Sequence, residues 1–191
     1  MHRRSPLFIL LVTALLILTG GTTEAEEYWE GYDALDRGDY RAALKIYHRL
    51  AENGDARSQD DFAYMYYIGL GTKQDFTKAA KWFRRAADQG HPPSLFNLGI
   101  LHQNGHGIPQ NNITAHHWFN LAGFLATESE ARQLATGHRE SIAGRMTASA
   151  IREATERSCI WWRSFSKRKS RTDQHMVGCE VFSPGSRAIS Q

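Results

Sequence analysis

The sequence predicts an all-α protein, a short α/α solenoid of stacked helix hairpins, and three observations carry that prediction. The first is a repeated phrase. Phe62-Ala63, Tyr66, Gly69-x-Gly71, Ala79, Trp82-Phe83 and Ala86-Ala87 return 36 residues later as Leu98-Gly99, His102, Gly105-x-Gly107, Ala115, Trp118-Phe119 and Ala122-Gly123. A fixed period of this length, with small and aromatic residues in constant positions, marks a stacked array of helical units. The second is apolar spacing of three and four residues inside each copy, the period of a helix face. The third is the glycine punctuation between the periodic stretches, which supplies backbone angles other residues resist.

Taken in order, the first helix spans Glu26 to Asp36 and is broken by Arg37-Gly38-Asp39. A second runs from Tyr40 to Ala51, with Tyr40, Ala43, Leu44, Tyr47, Leu50 and Ala51 on one face, and ends at Asn53-Gly54. Ala56 to Ile68 follows with Phe62, Ala63 and Tyr66 inward, then the Gly69-Leu70-Gly71 loop. Phe76 to Gln89 packs through Ala79, Trp82, Phe83, Ala86 and Ala87, the small residues letting two backbones approach while the rings fill the space beside them. Pro92-Pro93 suits a helix start, so the third hairpin has helices over Ser94–Gln103 and Ile113–Phe124 around Gly105-His106-Gly107. Glu128 to Ile142 is helical without matching the repeat, since Ser141 and Ala143 stand where another Gly-x-Gly would fall. Thr147 caps a last helix reaching Trp161 or Trp162, which covers the end of the stack.

The two ends read differently. His2, Arg3 and Arg4 precede an apolar run from Leu7 to Leu18 and the Thr23-x-Ala25 step, the pattern of a secretory signal peptide over residues 1–25. The run is short for a bilayer-spanning helix, and no Cys follows it to accept a lipid. The expected location is therefore periplasmic or secreted. From Arg163 onward the chain is basic and polar, and residues 163–191 read as a loosely ordered tail. Its Lys167–Arg171 cluster is suited to peripheral contact with an anionic membrane or polysaccharide, or simply to solvent. Cys159 and Cys179 form one candidate disulfide in an oxidising compartment, with two free thiols as the alternative. The divisions that follow are signal peptide 1–25, first hairpin 26–54, repeats 55–91 and 92–127, capping helices 128–162 and tail 163–191.

The repeated residues resemble the Sel1-like repeat family, relatives of tetratricopeptide repeats. Residues 56–90 supply Ala56, Phe62-Ala63, Tyr66, Gly69, Gly71, Asp75, Lys78-Ala79, Trp82, Ala86-Ala87 and Gly90. Residues 92–123 supply Leu98-Gly99, His102, Gly105, Gly107, Ile108, Asn111, Ala115, Trp118, Ala122 and Gly123. Residues 28–54, lacking the Gly-x-Gly insertion, are more similar to a plain tetratricopeptide unit. The resemblance implies a right-handed superhelix whose concave face is lined by the first helix of each hairpin. It also implies a bacterial, secreted adaptor for a protein or extended peptide. On that resemblance the groove is lined by Tyr32 and Leu35, by Asp60, Tyr64, Tyr67 and Ile68, and by Phe96, Ile100 and Gln103.

Nothing in the chain spells out a reaction. There is no nucleophile elbow, zinc-protease motif or phosphate-cradling loop, and Gly69-Leu70-Gly71 is too short for a nucleotide fingerprint. His102, His106, His116 and His117 lie close in sequence, but spacing and loop position favour core or surface histidines over a metal site. No catalytic residue, metal or cofactor is expected, and a formal charge of +3 gives no reason to expect nucleic acid. The function expected is non-enzymatic protein or peptide binding in the cell envelope. Alternatives are a periplasmic regulator of a membrane sensor that governs envelope or exopolysaccharide functions, and a glycan-binding or cell-wall enzyme accessory.

Overall fold

Side-chain caps recurring at the sequence period decide where the helices begin. Asp39, Asp75 and Asn111, each 36 residues from the next, accept hydrogen bonds from the backbone N–H of Ala42, Lys78 and Thr114. Such caps satisfy N–H groups that the first turn leaves unpaired and contribute about 1 kcal/mol each. The computed structural model describes residues 23–169 and Phe182. The described chain is helical throughout: α1 (Glu24–Asp36), α2 (Tyr40–Glu52), α3 (Ala56–Ile68), α4 (Phe76–Asp88), α5 (Pro92–Asn104), α6 (Asn112–Leu125), α7 (Ser129–Ala143) and α8 (Ala148–Lys169). Each helix through α7 packs on the one before it, so α1, α3, α5 and α7 form one layer and α2, α4 and α6 the other. This is an α/α solenoid.

Two glycine contacts set its geometry. Within a hairpin, a small residue on the first helix faces a ring on the second: Gly31 lies against Tyr47 and Gly99 against Phe119. A Cβ at Gly99 would stand 2.5 Å from the Phe119 ring. Ala63 and Phe83 occupy the equivalent places, both buried. Between hairpins, the second glycine of each loop lies on the first turn of the preceding hairpin's second helix. Gly71 rests on Tyr40 and Gly107 on Phe76 and Thr77, both glycines in the left-handed region at φ near 70°. Tyr40, expected in the packed face of α2, is for this reason a loop contact and 40% exposed.

The open N-terminal end is closed by charge. Aligned through Gly31, Ala63 and Gly99, α1 carries Glu26, Glu30 and Asp33 where α3 carries Ser58, Phe62 and Met65 and α5 carries Ser94, Leu98 and Leu101. Those six are buried against the preceding helix, whereas the three carboxylates of α1 face solvent. A solenoid end needs such a polar outer face.

At the other end α6 is buried on every side, from Ala115 through Ala122 without a break. The reason is α8, which runs back along α6 instead of pairing with α7. Leu134, at the register position of Leu98, is left 54% exposed. Alongside α6, His117 Nδ1 lies 3.0 Å from Ser158 Oγ, Arg157 donates to Thr114 at 3.3 Å, and the Trp162 and Phe124 rings meet at 4.9 Å.

Three boundaries differ from the sequence expectation by more than one residue. α1 starts at Glu24 because Thr23 and Glu26 form a reciprocal capping box. α5 starts at Pro92, with proline in its first turn. The residues expected to open a loose tail at 163 are helical through Lys169, because Trp161 stacks on Phe165 at 4.8 Å and Phe165 covers Gly90. Lys167, Arg168 and Lys169 also suit the negative end of the helix dipole. Arg171, Cys179 and residues 1–22 of the expected signal peptide lie outside the described residues.

The inter-hairpin contact can be tested by paired substitutions. Gly54 and Gly107 both have positive φ, but a Cβ at Gly54 meets nothing within 4 Å while one at Gly107 enters the Phe76–Thr77 backbone. Both alanine variants should lose about 1–2 kcal/mol to the left-handed backbone. In urea unfolding, Gly107→Ala should lose clearly more than Gly54→Ala.

Candidate binding groove

The first-helix layer is joined across its repeats by polar contacts rather than by a continuous apolar seam. From α1 to α3, the Tyr28 hydroxyl donates to Asp61 at 2.6 Å. From α3 to α5, Asp60 Oδ1 accepts from Ser94 Oγ at 2.5 Å and from Asn97 at 3.3 Å. From α5 to α7, Gln103 Oε1 lies 3.3 Å from His138 Nδ1, and Phe96 meets the His138 ring at 5.2 Å. The Arg57 guanidinium lies over Tyr28 at 3.8 Å and within 5.3 Å of the Trp29 ring.

Above these contacts stand rings. Tyr32, Tyr64 and Ile68 are exposed, at 51%, 48% and 43%. Leu35, Asp60, Tyr67, Phe96, Ile100 and Gln103 are half-buried. Tyr64 stacks with Tyr67, which meets Phe76 at 5.2 Å, and Phe76 stacks on His106 at 4.6 Å. Tyr32 meets Trp29 at 5.8 Å. The structure therefore brings Tyr64 and Tyr67 together and links Phe96 and Gln103 through His138. It spends most of Asp60 on the seam with α5. Sequence reasoning missed Trp29, exposed at 53%, and the Tyr28–Asp61–Arg57 cluster. The available signal for Trp29 was register: it occupies the place of Asp61 and Asn97, which reach toward the preceding first helix.

Burial governs the ionisable groups. It pushes the Asp60 carboxyl up to about 6, against the pull of its Ser94 and Asn97 hydrogen bonds. Burial also raises Asp61, which the Tyr28 hydrogen bond partly opposes. His91 is lowered by burial, so its 3.9 Å approach to Asp60 is a neutral polar contact. His116 and His117, inside the buried α6, are lowered to about 4 and about 3 by burial and are neutral imidazoles at neutral pH.

A serine, a histidine and an aspartate do meet here, but in the wrong order for nucleophilic chemistry. Ser94 gives its proton directly to Asp60, and His91 touches the Ser94 oxygen at 3.1 Å without standing between the two. Ser94 is also fully buried, as is Ser158 beside His117. Among the described residues no group of three or more His, Cys, Asp or Glu could hold a metal ion.

The Asp60 carboxyl gives the fold a measurable pH dependence. Because its pKa is higher folded than unfolded, the folded state holds the proton more tightly. The stability this contributes is present below the unfolded value of 3.8 and is lost as pH rises to about 6. Raised Asp61 acts in the same direction, while lowered His91 adds stability as pH rises toward 6.5. Asp60→Asn keeps an acceptor for Ser94 and Asn97, so it should raise stability at pH 7 by about 1–3 kcal/mol and flatten the slope between pH 4 and 6. Thermal unfolding across that range checks it.

The comparisons with known proteins agree with this geometry. No curated protein matches the chain. Among solved structures, c5321, a protective antigen of uropathogenic Escherichia coli with an SLR fold, superposes with a TM-score of 0.68 at 20% identity. It covers 81% of this chain and 34% of its own, so the chain spans about a third of that protein. A Sel1 repeat protein from Oxalobacter formigenes superposes with a TM-score of 0.52 at 23% identity, over 60% of this chain and 88% of its own. At these identities the likeness concerns the fold. The Sel1 repeat family model matches residues 21–55, 56–91 and 92–123, which includes the first hairpin and more than half the sequence. The chain belongs to the Sel1 repeat family.

Proposed function

We propose that this chain is a non-enzymatic adaptor of the cell envelope that holds an extended segment of another protein along its first-helix layer. The observation that carries the reading is the strip of solvent-facing rings, Trp29 and Tyr32 on α1 and Tyr64 with half-buried Tyr67 on α3. Large rigid side chains of this kind bury much area at little entropic cost, which is why they dominate binding hot spots. The groove residues of this reading are Tyr32, Leu35, Asp60, Tyr64, Tyr67, Ile68, Phe96, Ile100 and Gln103, to which Trp29 is added. Alanine at Tyr32, Tyr64 and Tyr67 together should weaken cross-linked partner capture by about tenfold or more, at unchanged helicity. Unchanged capture would move the partner site elsewhere.

Export through a signal peptide over residues 1–25 belongs to the same reading. It has a structural consequence, because Thr23, Glu24 and Ala25 are the cap and first residues of α1. Cleavage after Ala25 would replace the capping box with a free α-amino group at the positive end of the helix dipole, a loss of about 1 kcal/mol.

The oxidising compartment also bears on Cys159, buried in α8 against the main core cluster. Its proposed partner is Cys179. In support, Phe182, three residues further on, packs on Phe124 at 5.0 Å and belongs to the same core cluster as Cys159. A bridge closing about twenty residues stabilises by roughly 3 kcal/mol in a chain-entropy estimate. Intact mass should be two hydrogens short of the reduced chain, and Cys179→Ser should lower the unfolding midpoint only under non-reducing conditions.

A further inference from the structure

Charge is segregated between the two layers. Among the first helices, α1 carries six carboxylates and no Lys or Arg, α3 carries Asp60 and Asp61 against Arg57, and α5 has no Asp, Glu, Lys or Arg. Among the second helices, α2 has Arg41, Lys45 and Arg49 against Glu52, and α4 has Lys78, Lys81, Arg84 and Arg85 against Asp88. The acidic excess thus lies on the α1–α3 side of the layer that bears the exposed rings. Asp36, exposed, occupies the register position of Ile68 beside the strip. Asp60 and Asp61 lie in its floor, and Glu30 and Asp33 stand at its edge.

One ring of the strip, Trp29, already has a cation beside it. Arg57 lies over Tyr28 and beside Trp29, the arrangement in which a guanidinium is attracted to a ring face. Trp29, Tyr32 and Tyr64 keep about half their surface open. Spacing is also suitable. Neighbouring helices lie about 8–10 Å apart, and an extended chain of the polyproline-II type advances about 3.1 Å per residue with every third side chain on one face. One side chain in roughly three therefore meets each successive helix.

We propose that the α1–α3 half of the groove takes an extended segment carrying Arg or Lys about every third residue. The cationic side chains lie on Trp29, Tyr32 and Tyr64 and face Asp36, Asp60 and Asp61. This rests on the groove reading above and adds the chemical class of the occupant to it. Cations on rings and facing carboxylates give an association that weakens with salt, because exposed charges are screened.

The test is fluorescence anisotropy with the full chain and three labelled peptides: a repeating Arg-Ser-Ser, the same with Glu for Arg, and the same with Leu for Arg. The arginine peptide should bind about tenfold more tightly than either other peptide and lose that advantage at high salt. Tyr32→Ala with Tyr64→Ala should weaken it about fivefold or more, and so should Asp60→Asn with Asp61→Asn, which keep the acceptors for Ser94 and Tyr28. Equal or tighter binding of the leucine peptide, still lost in the tyrosine variant, would overturn the cationic class and leave the groove standing. Arginine-peptide binding that ignores the tyrosine variant but disappears in Glu26→Gln, Glu30→Gln, Asp33→Asn would place it on the outer edge of α1 and overturn the proposal. Salt-sensitive self-association of the chain without peptide, abolished by the tyrosine variant, would make a second copy the occupant. No binding by any peptide, with partner capture still dependent on the tyrosines, would overturn the occupant class alone.

Discussion

Gly71 and Gly107 lie with no room for a side chain on the first turns of α2 and α4, and the position of every later helix depends on that contact. The left-handed backbone at each glycine turns the chain, while the absent Cβ lets the loop touch the backbone of the hairpin before it. Because those first turns are themselves fixed by Asp39 and Asp75 caps, loop, cap and helix start form one unit that recurs with the period. The offset between hairpins then places Tyr28 beside Asp61 and Asp60 beside Ser94. The polar seam and the ring strip above it follow from backbone geometry, not from attraction among the rings.

The second layer ends differently because a helix comes to lie over it. α2 and α4 keep a charged outer face, but α6 meets α5, α7 and α8 and has none to expose. A helix buried all round must either be apolar or have its polar groups paired. α6 follows both routes in part: Ala, Trp, Phe and Leu fill most positions, Asn120 accepts from Arg139 at 3.1 Å and His117 meets Ser158, while buried His116 Nδ1 and Trp118 Nε1 find no hydrogen-bond partner among the described residues. Burial keeps His116 and His117 neutral, so a run that reads as clustered ligands in sequence is part of the packing of α8 onto the stack.

What the sequence made legible was whatever local rules repeat. Period, caps, glycine positions and the apolar faces of α2 to α6 are each decided within a few residues, and they yielded the fold and most helix limits. Three things escaped, each for a long-range reason. α8 continues past Trp162 because Phe165 finds Gly90, some seventy-five residues earlier, and nothing local marks that surface as open. Leu134 looks like a core residue by register and is exposed because α8 chose α6 over α7. The Tyr28–Asp61 bond joins residues 33 apart on different hairpins, so it becomes visible only after the offset is known. The groove residues were read by position alone, which identified Tyr32 and Tyr64 as exposed rings but not that Asp60 is largely occupied by Ser94 and Asn97.

The buried carboxylates are concentrated where the seam costs most. Between α5 and α7 the first-helix layer is joined without a carboxylate, by Gln103 with His138 and by Phe96 beside them. Between α1, α3 and α5 the same structural task falls to two adjacent carboxylates, Asp60 and Asp61, each destabilised by burial. Neutral acceptors would hold Tyr28, Ser94 and Asn97 as well, and the α5–α7 seam is evidence that this fold tolerates them. Packing therefore does not require these charges. A carboxylate short of solvent binds a cation more strongly than one in water, since the desolvation has already been met in the free protein. The same half of the layer carries the exposed rings, while the α5–α7 half offers Ile100 and Thr136 at the positions of Tyr32 and Tyr64. Charge and rings thus coincide on one side of a repeat array whose backbone is nearly the same throughout, which is why the proposed recognition surface lies on that side.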